Sequence, residues 1–330
     1  MSKTVLVTGA TSRVGIALIK ELADKGYSVR ALVKNRLSER ISELPKSTSI
    51  YFADISSDYN EDIQSIKEAS AGVDVIIHLA AAVYNYRYNR DEFLDINVIG
   101  TQRLIDAFIE SNKVFNKTLH FLLSSTVSVY GYKRADLLTE NSPLKPSSNY
   151  AVSKYMAENV VKSYAEAYSN IKYTIFRYAT FFGDGYNDHI YKVFDLVRNK
   201  TIRIIGDGNN VLNFVHYMDS IKAIMLSLEN DNALNKVYNI TDGESYKQKD
   251  LIELAAKLLN VDLKPKHVSH MIARIVSVYK ESITRDELDF IASNRRISID
   301  RAIQDLNYKP DHILYNEAKD IVNDYLTKRR

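Results

Sequence analysis

The feature that most constrains the fold is a regular alternation of short apolar runs with longer helical patterns over roughly the first 180 residues. Strands of this kind, apolar on both faces and separated by helices, indicate a parallel sheet covered on both sides. The predicted strands are Thr4–Thr8, Ser28–Val33, Ile50–Ala53, Asp74–Leu79, Thr118–Ser124 and Lys172–Tyr178. The helical patterns are Val14–Lys25, Asn60–Ala69, Asp91–Ser111 and Tyr150–Tyr168. Because crossovers between parallel strands are right-handed, the prediction is an α/β protein with a doubly wound, Rossmann-type sheet.

The sequence pattern changes in the second half of the chain, where helices dominate and strands are short. The predicted helices are His189–Asn199, Met218–Glu229, Gln248–Leu259, Val268–Tyr279, Ile299–Leu306 and Tyr315–Lys328, with strands near Ile202–Ile205 and Lys236–Ile240. No repeat or Pro-rich linker separates the halves. We therefore expect a Rossmann-type domain at residues 1–180 and a smaller, mostly helical substrate lobe at residues 181–330, interleaved rather than independent.

Composition excludes several classes of protein. Lys and Arg total 44 and Asp and Glu 41, a net charge of +3, which gives no electrostatic footprint for nucleic acid or an anionic membrane. The absence of cysteine excludes disulfides, thiolate zinc sites, iron–sulfur clusters and a cysteine nucleophile. The scattered histidines lack metalloprotease spacing, so no metal site is predicted. Without a targeting segment or an apolar run long enough to cross a bilayer, a cytoplasmic location is expected.

A glycine-containing turn follows the first strand and opens the first helix. Glycine is scarce, with 11 in the chain, and both Gly9 and Gly15 lie in this turn. Gly9 permits a tight turn, Gly15 permits close helix–strand packing, and the N–H groups at the helix start suit a pyrophosphate. The turn therefore predicts a dinucleotide site built from Gly9, Thr11, Ser12, Arg13, Val14 and Gly15.

The opening pattern Thr-Gly-x-x-Gly-x-x-Gly resembles the extended short-chain dehydrogenase/reductase family, which includes sugar-nucleotide epimerases and dehydratases. This chain has Ser12 at the middle glycine, where the hydroxyl could contact phosphate. The resemblance spans nearly the whole chain and implies NAD(P) as cofactor. It also implies that Asn97 steadies the active-site strand. His78 is interpreted as a strand-end residue with satisfied hydrogen bonds rather than as a ligand. Further cofactor residues implied by the resemblance are Asp54, Ile55, Leu79, Ala80, Ala81, Asn97, Ser124, Tyr178 and Thr180.

The end of the second strand bears on the choice of dinucleotide. An acid there would accept a hydrogen bond from the ribose 2′-OH and favour NAD, but the chain has Lys34 and Arg36. Together with Arg13 these cations could pair with a 2′-phosphate, so NADP is the predicted preference. The alternative is that Lys34 and Arg36 belong to a solvated basic loop that binds no phosphate.

Hydride transfer at a carbinol carbon also requires a group that moves the hydroxyl proton. A tyrosine can do this if its pKa is lowered, and a lysine one helical turn later supplies the charge. That spacing occurs at Tyr150/Lys154, Tyr168/Lys172 and Tyr315/Lys319. Only Tyr150 opens a helix downstream of a run, Leu123–Gly131, that resembles the family's active-site strand end.

The resemblance places the catalytic hydroxyl on Thr126, with Ser124 and Ser125 as competitors. Thr126 would then bind the substrate oxygen and Tyr150 would exchange its proton. Lys154 would lower the tyrosine pKa and hold the ribose.

The substrate segments depart from the family pattern. Thr180 replaces an asparagine, and Leu212 replaces an arginine that binds diphosphate in sugar-nucleotide enzymes. We therefore favour an oxidoreductase acting on a small, non-nucleotide hydroxy or carbonyl compound. The alternatives are a sugar-nucleotide epimerase or dehydratase and, more remotely, a non-catalytic NAD(P)-binding regulator. Arg274, Arg295 and Arg296 could supply the positive charge that Leu212 lacks. Tyr84, Tyr86 and Tyr88 could line a substrate pocket or, equally, face solvent in a loop.

Relatives commonly form homodimers through the helices predicted at Asp91–Ser111 and Tyr150–Tyr168, so a homodimer is expected here.

Overall fold

The computed structural model describes residues 2–83, 88–113, 117–269, 271 and 291–329. Its strands are β1 Thr4–Thr8, β2 Ser28–Val33, β3 Ser49–Phe52, β4 Val75–His78, β5 Leu119–Thr126, β6 Lys133–Leu138, β7 Ile171–Tyr178, β8 Thr180–Phe182, β9 Arg203–Ile205, β10 Val211–Leu212, β11 Phe214–His216, β12 Lys236–Ile240, β13 Tyr246–Lys247, β14 Lys266–Val268 and β15 Asn294–Ile297. The α-helices are α1 Arg13–Asp24, α2 Asn60–Ser70, α3 Arg90–Leu94, α4 Gly100–Asn112, α5 Asn149–Ala167, α6 Asp188–Arg198, α7 Tyr217–Leu228, α8 Gln248–Leu258, α9 Asp300–Leu306 and α10 Leu314–Lys328. A π-helical turn spans Asp95–Ile99, and 3-10 turns span Glu39–Glu43, Val127–Tyr130 and Asp231–Ala233.

The central sheet has seven strands in the order β12-β7-β5-β4-β1-β2-β3, and every pairing within it is parallel. The chain builds outward from β1 in both directions, as a doubly wound sheet requires. Alternate residues of β1 enter different cores: Val5 and Val7 pack with α1 and α7, whereas Leu6 packs with α2, α4 and α5. Burial on both faces explains why these strands read as continuous apolar runs, and the predicted fold class is confirmed.

The second half contributes one strand to this sheet and otherwise packs beside it. β12 pairs with β7, with Tyr238 opposite Phe176, and so extends the sheet at its edge. A separate apolar cluster joins α6, α8 and α10 and includes Phe182, Phe214 and Tyr325. β15 pairs with β6, which brings the C-terminal segment next to the end of β5.

Two predicted helices differ in the structure. The pattern Asp91–Ser111 forms α3, the π-helical turn and α4, because an extra residue is accommodated at Asp95–Ile99. The helix predicted at Val268–Tyr279 begins at a residue that belongs to β14, and most of its remainder lies outside the described residues. Among the described residues, no helix combines the length and apolar character needed to span a bilayer.

Candidate active site

The site lies where four neighbouring strands end at one edge of the sheet. Thr8 of β1 lies opposite His78 of β4, and His78 lies opposite Leu123 of β5. Thr126, at the end of β5, lies opposite Tyr178 of β7. Residues that follow these positions therefore converge from distant parts of the sequence, as expected at the carboxyl ends of parallel strands.

The turn after β1 is packed too tightly to admit side chains at its two glycines. Gly9 has a φ of +67°, and a Cβ atom there would lie 2.8 Å from the Ala80 amide nitrogen. A Cβ atom on Gly15 would lie 2.3 Å from the Gly9 carbonyl oxygen. The turn is thus a backbone cradle against the β4 end, and its shape fits the close approach of a dinucleotide phosphate.

Ser12 shows why the missing middle glycine is tolerated. Its φ of −71° is accessible to any residue, and it forms the N-cap of α1, with Oγ accepting from the Gly15 amide at 2.9 Å. The hydroxyl keeps its own proton for donation to an acceptor such as a phosphate oxygen. Beside it, Thr11 is half-buried, Arg13 is exposed and Val14 is buried.

A chain of hydrogen bonds fixes the cofactor side of β4. The Thr8 hydroxyl accepts from the Ala80 amide at 3.1 Å and donates to His78 Nδ1 at 2.7 Å. His78 Nε2–H then donates to Thr101 Oγ1 at 3.1 Å, whose own proton goes to the Asn97 carbonyl at 2.6 Å. Burial, together with the charge of Lys154, lowers the pKa of His78 to about 3. His78 is therefore a neutral structural residue.

Asn97 occupies the π-helical turn and holds two elements together. Its Oδ1 accepts from the Ala82 amide at 2.8 Å, and its Nδ2 donates to the Ala82 carbonyl and to Ser153 Oγ at 2.9 Å. Ser153 adjoins Lys154 on α5. The segment Leu79, Ala80 and Ala81, which is half-buried along the β4 end, is thereby tied to the helix that carries Tyr150.

Lys34 and Arg36 line a pocket at the ends of β2 and β3, and Asp54 lines a neighbouring pocket. Lys34 Nζ lies 2.7 Å from Asp54 Oδ2, and the Arg36 guanidinium lies 4.9 Å from the centre of the Phe52 ring. Burial raises the Asp54 pKa, but hydrogen bonds from Lys34 and Ser56 outweigh it and hold the pKa below its ordinary value.

Two predicted cofactor residues beside this pocket have other contacts. Ile55 is buried against Gly100 at the start of α4. The Arg13 guanidinium pairs with Asp184 at 3.0 Å.

The structure brings the proposed catalytic residues together. Ser148 caps α5 by accepting from the Ala151 amide at 3.1 Å, so the next turns of the helix present Tyr150 and Lys154 toward the β5 end. The Thr126 side chain lies close enough to the Tyr150 hydroxyl to lower its pKa, and the Tyr150 ring lies 6.1 Å from that of Phe93. Lys154 is 3% exposed.

The pKa of Tyr150 differs from the expectation. Burial raises it to about 12, and the Thr126 side chain only partly opposes the rise. Burial also lowers the pKa of Lys154 to about 8, against the charge of Glu158. Lys154 is not among the groups that shift the tyrosine, so the lowering predicted from the spacing is absent: desolvation of the phenol dominates.

The three candidate hydroxyl residues of β5 point to different faces of the sheet, because side chains alternate along a strand. Ser125 Oγ donates to Glu158 Oε1 at 2.6 Å on the face toward α5, whereas Ser124 and Thr126 occupy the alternate positions. Glu158 is fully buried and also accepts from Arg177 Nε at 3.0 Å and Nη2 at 2.7 Å. Ser125 is thus committed to this ion pair, which supports Thr126 as the hydroxyl facing Tyr150.

The Glu158–Arg177 pair was missed by sequence reasoning, although one signal was present. Glu158 follows Tyr150 and Lys154 at the same four-residue interval, so all three share a helix face. Arg177 also donates to the Tyr130 hydroxyl at 2.8 Å, which donates to Asn239 Oδ1 at 2.7 Å on β12. The network links the catalytic helix to the edge strand.

Aromatic rings cluster where β7 ends and β8 begins. Tyr178 is buried, with its ring 5.4 Å from that of Phe181 and its hydroxyl 3.5 Å from the Ser220 carbonyl. Thr180 lies in β8 opposite Phe214, and Leu212 packs against the apolar cluster of the second half. Leu212 therefore belongs to a packed apolar region.

The other candidate substrate residues are only partly described. Arg295 is buried and donates to the Val127 carbonyl at 3.3 Å, whereas Arg296 is exposed. Tyr88 is exposed, with its ring 5.7 Å from that of Phe93. Arg274, Tyr84 and Tyr86 lie outside the described residues.

Known proteins resemble this chain in both sequence and structure. A putative UDP-glucose 4-epimerase of Methanocaldococcus jannaschii is 29% identical over 260 residues, covering 76% of this chain and 80% of the relative. The sterol-4-alpha-carboxylate 3-dehydrogenase (decarboxylating) of Dictyostelium discoideum is 26% identical, covering 96% of this chain and 99% of the relative. DesIV, a dTDP-glucose 4,6-dehydratase of Streptomyces venezuelae solved with NAD bound, superposes with a TM-score of 0.76 at 23% identity, covering 99% of this chain and 98% of that one.

The family model that matches is that of the NAD dependent epimerase/dehydratase family, over residues 5–241. This match confirms the predicted class of NAD-linked enzyme. Because it runs from β1 through the glycine turn to β12, the chain belongs to the NAD dependent epimerase/dehydratase family, and its predicted membership of the extended short-chain dehydrogenases/reductases is confirmed.

Proposed function

We propose that this protein is an NAD(P)-dependent oxidoreductase that transfers a hydride at a carbinol or carbonyl carbon, with Tyr150 as the acid–base group. The observation that carries the proposal is that Thr126, at the end of β5, lies beside the Tyr150 hydroxyl, with Lys154 buried one helical turn away. When bound, the dinucleotide would supply or accept the hydride.

The cofactor's pyrophosphate would lie against the glycine turn, where α1 N–H groups and the Ser12 hydroxyl can donate. Lys154 would hold the nicotinamide ribose, and Lys34 and Asp54 would flank the adenosine. The residues proposed to form this cofactor site are Gly9, Thr11, Ser12, Arg13, Val14, Gly15, Lys34, Asp54, Ile55, Leu79, Ala80, Ala81, Asn97, Ser124, Tyr150, Lys154, Tyr178 and Thr180.

The protonation states favour Tyr150 as an acid in the reductive direction. With a pKa of about 12 the phenol is protonated at neutral pH, and Lys154, with a pKa of about 8, is mainly charged. Thr126 would hydrogen-bond the substrate carbonyl oxygen. As the carbon receives the hydride, Tyr150 would donate its proton to that oxygen to give the alcohol. Oxidation is the reverse, with the Tyr150 phenolate accepting the hydroxyl proton.

We propose NADP as the preferred dinucleotide, because β2 ends without an acid and is followed by Lys34 and Arg36, which line the pocket proposed to take the adenosine ribose. Arg13 adds no support, since it pairs with Asp184. Fluorescence titration should give a lower Kd for NADPH than for NADH. Equal values would refute the preference.

The substrate proposed is a non-nucleotide hydroxy or carbonyl compound. Leu212 lies in an apolar cluster, where a diphosphate would instead need cationic partners. The relative matched over 96% of this chain is named as a sterol-carboxylate dehydrogenase. A sugar-nucleotide epimerase or dehydratase is the second candidate, favoured by the names of other relatives. A non-catalytic regulator is disfavoured, because Tyr150 and Lys154 are both retained.

Oxidation of NADPH and NADH, screened over carbonyl compounds and UDP- and dTDP-sugars, tests the proposal. A reductase loses absorbance at 340 nm with its substrate, and Tyr150→Phe abolishes the loss. An epimerase instead retains its dinucleotide and converts a sugar nucleotide without net absorbance change. Absence of both activities, with dinucleotide binding retained, would favour the regulator.

We also propose that residues 1–180 carry the cofactor and catalytic residues and that residues 181–330 bind substrate. Helices α4 and α5 are proposed to form a homodimer, since Met156 on α5 and Ile99 at the start of α4 are exposed apolar residues. Light scattering should report twice the mass of the chain, and a monomeric mass would contradict the dimer. The cytoplasmic location stays a prediction.

A further inference from the structure

The loop after β8, Gly183–Tyr186, is called the strap here, and it reaches from the second half of the chain to the start of α1. The Tyr186 amide donates to the Gly183 carbonyl at 2.9 Å, and the Gly183 amide donates to Asn187 Oδ1 at 3.0 Å. The Tyr186 ring lies 5.4 Å from that of Phe181 and 5.8 Å from that of Tyr217. These contacts fix the position of the Tyr186 ring and therefore of its hydroxyl.

The strap meets the first turn of α1 at two points. The Val14 amide donates to the Tyr186 hydroxyl oxygen at 3.4 Å, and Arg13 Nη1 pairs with Asp184 Oδ2 at 3.0 Å. Gly185 lies against the Arg13 side chain so closely that a Cβ atom would be 1.7 Å from Nε. The strap thus lies beside the N–H groups that open the helix next to the glycine turn.

The Tyr186 hydroxyl can still donate a hydrogen bond beside the start of α1. A phenol that accepts from an amide still has its own proton to give. Burial raises the Tyr186 pKa, so the hydroxyl stays protonated at neutral pH. The start of a helix attracts anionic acceptors, and Tyr186 adds an O–H to its N–H groups there.

We propose that Tyr186 is a cofactor-binding residue whose hydroxyl donates to the pyrophosphate of the bound dinucleotide. This inference rests on the dinucleotide site proposed above. The pyrophosphate is then held by both halves of the chain: α1 supplies backbone donors and the strap supplies the phenol. Binding of the dinucleotide consequently stabilises the seating of the strap on α1.

The test compares Tyr186→Phe with wild type and with Tyr217→Phe, which removes a hydroxyl from a ring in contact with Tyr186. Calorimetric titrations use NADPH, ADP-ribose and adenosine. ADP-ribose keeps the pyrophosphate but lacks nicotinamide, and adenosine lacks both. Tyr186→Phe should raise the Kd for NADPH and for ADP-ribose on the order of tenfold, as expected for one hydrogen bond to a charged group, and leave adenosine unchanged. Tyr217→Phe should match wild type.

Unchanged Kd values for NADPH and ADP-ribose in Tyr186→Phe would overturn the inference. An equal weakening of adenosine would also overturn it, because the effect would then be a general disturbance of the site. If the variant is less stable, the ratio of the ADP-ribose and adenosine Kd values still reports the phosphate contact. Failure of wild type to bind any dinucleotide would refute the proposed function itself, whereas tight wild-type binding that Tyr186→Phe leaves intact refutes only the role of Tyr186.

Discussion

Replacing Glu158 with glutamine should destabilise the protein by removing one member of a buried ion pair. Glu158 is 0% exposed and Arg177 is 2% exposed, and two hydrogen bonds of 3.0 and 2.7 Å join them. Ser125 adds a third hydrogen bond at 2.6 Å. Glutamine keeps the size of the side chain but leaves the Arg177 charge buried without its counter-ion.

The expected cost follows from that uncompensated charge. Breaking a buried pair from one side costs about 3–5 kcal/mol, a large share of the roughly 5–15 kcal/mol that stabilises a folded protein. In a chain of this size the loss should lower Tm by about 4–7 °C. Replacing both residues, as in Glu158→Leu with Arg177→Met, should cost less than Glu158→Gln alone, because no charge is then left unpaired.

Urea unfolding and thermal unfolding measure the effect, with Lys162→Gln as a control. Lys162 contacts the same carboxylate at 3.4 Å, but its side chain is 28% exposed, so its removal should change the free energy of unfolding by less than about 1 kcal/mol. A Glu158→Gln loss no larger than that of the control would refute the importance of the pair.

The same pair predicts a pH dependence with a definite sign. Burial raises the Glu158 pKa, but the hydrogen bond and charge of Arg177 outweigh it, so the folded-state pKa lies below its ordinary value. Its contribution to stability is complete above the unfolded-state pKa of about 4.3 and is lost as pH falls toward the lowered value. Glu158→Gln should lack this portion of the acid-induced loss.

Three further predictions concern the site. Thr126→Ala should lower kcat on the order of a hundredfold and Ser125→Ala much less, because Thr126 lies beside Tyr150 whereas Ser125 bonds to Glu158; the reverse order in steady-state assays would move the assignment. His78 stays neutral when folded, with a pKa of about 3, while the unfolded chain takes up a proton below about pH 6.5, so wild type should lose about 2 kcal/mol on this account between pH 7 and pH 5. Urea unfolding at pH 7 and pH 5 should show a smaller loss of unfolding free energy in His78→Gln than in wild type. An equal loss in the two proteins would contradict this assignment. Lys34→Glu should raise the Kd for NADPH roughly tenfold and spare NADH, and equal effects in a fluorescence titration would argue against a 2′-phosphate contact.

Local patterns predicted the sheet because its strands are apolar on both faces and its first turn contains scarce glycines. The assignment of β12 was incomplete for a physical reason. A short strand was predicted near Lys236–Ile240, but its partner is β7, and a pairing between segments so distant in sequence leaves no local pattern. The π-helical turn at Asn97 was likewise hidden, since an inserted residue hardly disturbs helical periodicity.

The site was predicted where spacing encodes geometry and missed where contacts cross the fold. Tyr150 and Lys154 share a helix face, so their proximity could be read from the chain. The pKa of Tyr150 could not, because it depends on how deeply the fold buries the phenol. Arg177 on β7 carries no spacing signal toward Glu158, Tyr186 in the loop after β8 is distant in sequence from α1, and only the folded structure brings them together.

The role of Tyr150 in moving the substrate proton is the central claim, and a single-turnover measurement tests it most directly. NADPH-loaded wild type and Tyr150→Phe are mixed with the carbonyl substrate that the screen identifies, and absorbance at 340 nm is followed. Tyr150→Phe should bind NADPH with an unchanged Kd yet consume it at least about a hundredfold more slowly. Consumption at the wild-type rate by Tyr150→Phe would contradict the account.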